Sequence, residues 1–140
     1  MNNSNPNFPL MAFLAFIASG QPLATAQERT FGEDVEFLRR HVETIVLGDP
    51  SAGPAVAVVP GYQARVMTST ATGNRGNSFG WINYKHIESG KNSPHINVYG
   101  GEERFWLGPE GGQFSIFFKP GAKFNLDAWQ TPPVIDTAAY

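Results

Sequence analysis

Between Phe31 and His41 the apolar residues Val35 and Leu38, carried on by Val42, recur at three- and four-residue spacing, and the pattern predicts a short helix. Glu33 and Asp34 fall in its first turn and Arg39 and Arg40 near its last, where the helix dipole favours each sign of charge, so these residues read as local stabilisers. Beyond the helix the period shortens. Thr44 to Leu47, Ala55 to Val59 and Ala64 to Ser69 are short and rich in β-branched residues, and they are separated by Gly48–Pro54 and by Pro60-Gly61. They are expected to be strands joined by turns. Alternation along the third strand sets Arg65 and Met67 on the face opposite Val66 and Thr68, so that the arginine need not lie among the valines.

The second half is read as a polar loop over Ala71–Ser78, an aromatic strand or groove wall over Phe79–Tyr84, and another polar loop over Glu88–Pro94. His95–Tyr99 alternates in strand fashion. Gln113–Lys119, with Phe114, Ile116, Phe117 and Phe118, reads as the clearest strand, apolar on both sides and therefore expected between two layers. The tail, with Pro120-Gly121, Pro132-Pro133 and Asp136–Tyr140, offers no element to close a sheet. No repeat and no heptad is present. The fold class expected is mainly β, an antiparallel β-sandwich with one short N-terminal helix.

Leu10–Ala18 is a short apolar run followed by the small-x-small pattern Ala24-Thr25-Ala26 before Gln27, which reads as an export signal over residues 1–26 and a single β-rich domain over residues 27–140. Met1–Pro9 departs from the usual pattern in carrying no Lys or Arg. The run is too short to cross a bilayer, which takes about twenty apolar residues. An exported chain is expected in the periplasm or outside the cell. With 10 dispersed Lys and Arg residues and a formal net charge of -2, neither a phosphate-tracking stripe nor a polybasic membrane patch is present, so nucleic acid is not an expected partner. Zero cysteines excludes disulfides, thiol catalysis and zinc–thiolate centres.

The run from Gly100 to Gln113 brings glycines, Glu102, Glu103, Arg104, Trp106 and Glu110 into fourteen positions. Glycines let backbone approach a ligand, an indole stacks on an apolar ring face, and arginine with carboxylates fixes hydroxyl or carboxylate groups by directional hydrogen bonds. Sugars present both kinds of surface. The plainer alternative is a hairpin whose glycines serve turns and whose Trp106 is buried. Trp81 and Trp129 are likewise divided between stacking platforms and core. The candidate ligand-binding residues are Arg104, Trp106, Glu110, Arg65 and His95, with a carbohydrate as the expected partner. His41, His86 and His95 show no metal spacing and no nucleophile-elbow context, and no calcium-loop pattern occurs, so neither metal nor cofactor is expected. Glu102 and Glu103 cannot both face one sugar in extended chain, which weakens a paired-carboxylate hydrolase reading.

Three segments carry a resemblance: Ala57–Met67, Ser78–Asn83 and the Gly-Gly-Glu-Glu-Arg-Phe-Trp-Leu-Gly-Pro-Glu-Gly-Gly run. Together they resemble the N-terminal part of a family of exported bacterial proteins without assigned function. That family is in turn similar to the galactose mutarotase-like superfamily, in which Pro-x-x-Gly-Gly-Arg and a later Trp-x-x-Pro-Glu segment line the sugar face of a β-supersandwich. The resemblance covers roughly Phe31 to Thr137, where Pro60 to Arg65 matches the first pattern except that Gln63-Ala64 stands in place of the two glycines. It implies a partial supersandwich, an N-terminal portion of a longer sugar-active protein whose aldose-epimerase acid and base come from later strands, so that this chain alone is expected to be inactive. The alternatives are a non-catalytic carbohydrate-binding module and a structural cell-envelope β-domain.

Overall fold

The computed structural model describes residues 29–140. The expected export signal lies outside the described residues. The first helix, α1, spans Phe31–His41 and begins with a capping box: the Thr30 hydroxyl accepts from the Glu33 amide, and the Glu33 carboxylate accepts from the Thr30 amide at 2.8 Å. These bonds satisfy two of the amides that a helix start leaves free. Phe31, Val35 and Leu38 form the buried stripe that the spacing predicts.

That stripe packs on a three-stranded antiparallel sheet, β1 (Ile45–Gly48), β2 (Ala55–Val59) and β3 (Arg65–Thr70), in the order β1-β2-β3. All three are the strands expected, within a residue at each end. On one face Ala55, Ala57, Val59, Met67 and Thr68 are buried. The register slips between Ala57 and Val58, so that Ala57 pairs with Thr68 while Val58 pairs with Val66, and Met67 is the extra residue of a bulge. The bulge corrects the simple alternation: Thr68 turns inward beside Met67 instead of outward with Val66. Arg65, paired with Val59, is also on the core side, only 3% exposed.

The other face is open. Val56, Val58 and Val66 are half-buried, while Ile45 (43%) and Leu47 (56%) of β1 are exposed, and no second sheet covers them among the described residues. The expectation of a β-rich chain agrees with the sheet as the organising element and with the few, short helices. A two-sheet sandwich is not formed by these residues.

Beyond β3 the chain crosses the sheet's far edge in short contacts. Phe79 N donates to Ser69 O, and Val66 exchanges bonds with Glu102 and Glu103. Asp34, buried on α1, accepts from Ser78 Oγ at 2.5 Å and Tyr84 Oη at 2.6 Å and pairs with Arg29 Nε at 3.3 Å, tying the helix to this crossing. The aromatic segment 79–84 is not a strand: its one bridge joins Ile82 to Gly100, and a second short helix, α2 (Tyr84–Glu88), begins at its last residue and ends where the expected Glu88–Pro94 loop starts. His95–Tyr99 is not a strand: Asn97 sends both its amide and its side-chain Nδ2 to the Asp136 carboxylate.

The largest departure is Gln113–Lys119, which forms no strand. Local turns take its polar groups, with Ser115 N donating to Gly112 O and Ser115 Oγ to Glu110 O. Its one buried side chain, Phe117, stacks on Trp106 at 5.0 Å and on Trp129 at 4.7 Å. Rings rather than a neighbouring strand supply its packing. The tail docks on the β2–β3 turn, where Gln63 N donates to Ala138 O at 3.0 Å.

Candidate functional site

The turn from β2 to β3 runs through a 3-10 turn at Pro60–Tyr62 and then through two residues in the left-handed region, Gln63 (φ 63) and Ala64 (φ 47). Glycine adopts this conformation freely, whereas a Cβ crowds the following carbonyl at a cost of about 1–2 kcal/mol per residue. Gln63 is held there by its own side chain, whose Nε2 donates to Phe105 O at 2.9 Å. The sharp reversal delivers Arg65 into the molecule.

The Arg65 guanidinium lies 5.6 Å from the ring centroid of Tyr99, which itself stacks on Tyr62 at 3.7 Å. Its Nη1 donates to Gly100 O at 2.9 Å. Its Nε and Nη2 are buried and have no partner among the described residues. Burial, reinforced by the like charge of Arg104 and opposed by Asp136, pulls the group down to about 10, so it stays charged at neutral pH. The Arg65 stem runs directly under Gly101 (φ 106), where any Cβ would stand 2.8 Å from Arg65 Cδ. Glycine is required there on both counts.

Arg104 approaches the same place from the glycine-rich run. Its guanidinium sits 3.9 Å from the Trp106 ring centroid, and Trp106 Nε1 donates to Glu110 Oε1 at 2.8 Å. Partial burial lowers Arg104, while Asp136 and Glu110 pull it back. Between the two arginines lies a pocket of about 310 Å3, walled also by Asn97, Gly100, Gly101 and the acidic residues Glu102 and Glu103. Next to Gly100, outside the pocket's own lining, stands Trp81, 62% exposed, with its Cε3 3.0 Å from where a Cβ on Gly100 would be. Gly101 N donates to the Trp81 carbonyl at 2.7 Å, which fixes the indole's backbone against the pocket wall.

The structure therefore brings Arg65 and Arg104 to one pocket and places Trp106 and Glu110 behind Arg104 in a single chain of contacts. Trp106 already has Arg104 and Phe117 as ring partners, so its role is to carry the arginine rather than to offer a free face. His95 is elsewhere: its Nδ1 lies 2.8 Å from Trp129 O and 2.9 Å from Gln130 Nε2, in a neighbouring pocket of about 360 Å3. Asn97 lines both pockets. The three carboxylates of the run go to separate partners, Glu102 to Ser69 Oγ, Glu103 to the Arg104 amide and Glu110 to Trp106.

Two residues escaped the sequence reading, Asn97 and the buried Asp136 in a tail read as loose, while Trp81, weighed there between platform and core, is exposed. A carboxylate inside the apolar stretch Pro132–Ala138 was the available signal for Asp136. No group of three metal-ligating side chains occurs among the described residues, and no helix there is long and apolar enough to cross a membrane.

Residues 29–140 match the family of unknown function DUF6786, and the chain belongs to that family. No curated protein and no solved structure matches the chain.

Proposed function

We propose that this chain is an exported carbohydrate-binding protein that holds a sugar in the Arg65–Arg104 pocket against the exposed indole of Trp81. The observation that carries the reading is the convergence of two guanidinium groups, an amide and side-chain-free glycine backbone in one pocket, with the solvent-facing indole of Trp81 next to its Gly100 wall. Sugars are recognised by that combination of directional polar groups and one flat apolar surface. Trp106 and Glu110 serve by setting Arg104. The reading is one of binding, with His95 outside the pocket.

The test is a titration of the folded chain with mono- and oligosaccharides, followed by tryptophan fluorescence and by amide chemical shifts. Shifts centred on Trp81, Gly100 and Gly101, and abolished in Trp81→Ala, are expected. A panel in which no sugar moves these signals would rule the reading out. Export is checked separately by N-terminal sequencing of protein recovered from cells: Gln27 should come first.

The mutarotase-like part of the reading draws support from the left-handed pair Gln63-Ala64, which occupies the positions that the superfamily pattern fills with glycine ahead of its arginine. The open sheet face favours a larger supersandwich of which this sheet is one layer. A dye that fluoresces on apolar surface should bind this chain, and a dark titration would mean that the face is already covered.

A further inference from the structure

The geometry points to a carboxylate-bearing saccharide, a hexuronate or an oligosaccharide containing one, as the ligand of this pocket, its carboxylate held between Arg65 and Arg104. This rests on the carbohydrate reading above and narrows it to a substrate class.

Three observations converge. The first is the open edge of Arg65. With Nη1 committed to Gly100 O, the unpartnered nitrogens are Nε and Nη2, the side-on pair whose parallel N–H bonds match the two oxygens of a carboxylate. A guanidinium that is 97% buried with that edge unsatisfied lacks one acceptor group of that shape. The second is charge. Arg65 and Arg104 repel each other across the pocket, and the buried group offsetting both is Asp136, already engaged by Asn97. Glu102 and Glu103 also line the pocket but turn to Ser69 Oγ and to the Arg104 amide, so neither takes the open edge of Arg65, and a monoanion adds less charge beside them than a phosphate dianion would. The third is size. A pocket of about 310 Å3 is far larger than a carboxylate needs and has room for a sugar ring, with the Trp81 indole next to its Gly100 wall. Both orphaned nitrogens are closed to water in the free protein, so binding must displace what covers them, and the neighbouring backbone at Gly100 and Gly101 carries no side chain to obstruct that.

The experiment is calorimetric titration of the folded chain at low salt with galacturonate, glucuronate, galactose, glucose and acetate, repeated in Arg104→Gln and Trp81→Ala. Arg104→Gln removes the charge of a half-buried residue and leaves Arg65 in place, which protects the test against a variant that fails to fold. The expected result is uronate binding that weakens with added salt and falls roughly ten- to a hundredfold in Arg104→Gln, with neutral hexoses much weaker. Trp81→Ala should weaken uronates and leave acetate unchanged. Equal binding of galactose and galacturonate, indifferent to Arg104→Gln, would overturn the acidic ligand and leave the carbohydrate reading standing. Acetate binding as tightly as the uronates would make this a simple anion site and overturn the proposal. Silence from every sugar would remove both.

Discussion

Residues 30–70 are held by a backbone ladder with α1 laid across it, whereas residues 104–129 contain nothing more regular than a single 3-10 turn at Leu126–Ala128 and are held by rings against rings. In the first region Phe31, Leu38, Ala57, Val59 and Met67 are fully buried. In the second only Phe117 is, and Phe105, Phe114, Phe124 and Leu126 all stay more than 60% exposed. A ladder fixes where every second side chain points, so one face can be buried completely. A stack of rings fixes only the rings in it and leaves their neighbours facing water. The pocket lies where the two regimes meet, with Arg65 supplied by the ladder and Arg104 by the stack.

Substitutions can break this contrast, and the largest effect is expected in the ladder region. Leu38→Ala should cost about 3–4 kcal/mol in urea unfolding, because a fully buried leucine leaves a cavity that helix and sheet cannot close. Asp34→Ala should cost about 2–3 kcal/mol by the same measurement, since it removes the buried acceptor shared by the half-buried Ser78 and Tyr84 hydroxyls and takes away Arg29's partner. Ala64→Gly should move the other way, raising stability by about 1 kcal/mol by relieving a left-handed alanine. A loss on that substitution would show that the turn is not strained.

Smaller effects sharpen the comparison. Thr30→Ala should cost about 1 kcal/mol by removing the cap. The Thr30 amide and hydroxyl hold the Glu33 carboxyl below its usual value of 4.5, so its contribution is complete above that pH and is lost as pH falls through the depressed value. The urea midpoint should therefore drop more between pH 6 and pH 3 in the native chain than in Glu33→Gln. Smallest of all, Phe114→Ser should change stability by less than about 0.5 kcal/mol, because that ring is 77% exposed. A cost as large as that of Leu38→Ala would collapse the distinction between the two regions.

The same division explains what could be read from the sequence. Helix α1 and the three strands were legible because their apolar periods, 3.6 and 2, are the periods of the structures they form. The bulge at Met67 was not, since nothing in Arg-Val-Met-Thr-Ser marks an extra residue. Gln113–Lys119 has the composition of a buried strand, yet its apolar content is spent on the stacked ring of Phe117, on Phe118 set edge-on to Phe124 and Trp129, and on two exposed side chains, Phe114 and Ile116. At the site, the run's residues Arg104, Trp106 and Glu110 were legible as a group because they are close in sequence. Asn97 and Asp136 meet across 39 residues, and Trp81 is brought next to Gly100 by the Ile82–Gly100 bridge and the Gly101 amide, contacts that no local pattern encodes.

The order of strands also sets a clock. β2 has a partner on each side, while the outer edge of β1 has none among the described residues. Amide protons of β2 should therefore be the last of the sheet to exchange with deuterated solvent, and those on the outer edge of β1 among the first, fraying in motions too small to register as unfolding. A sheet of three strands thus has one strand's worth of slow interior, and the arginine that β3 carries into the pocket stands one strand away from it.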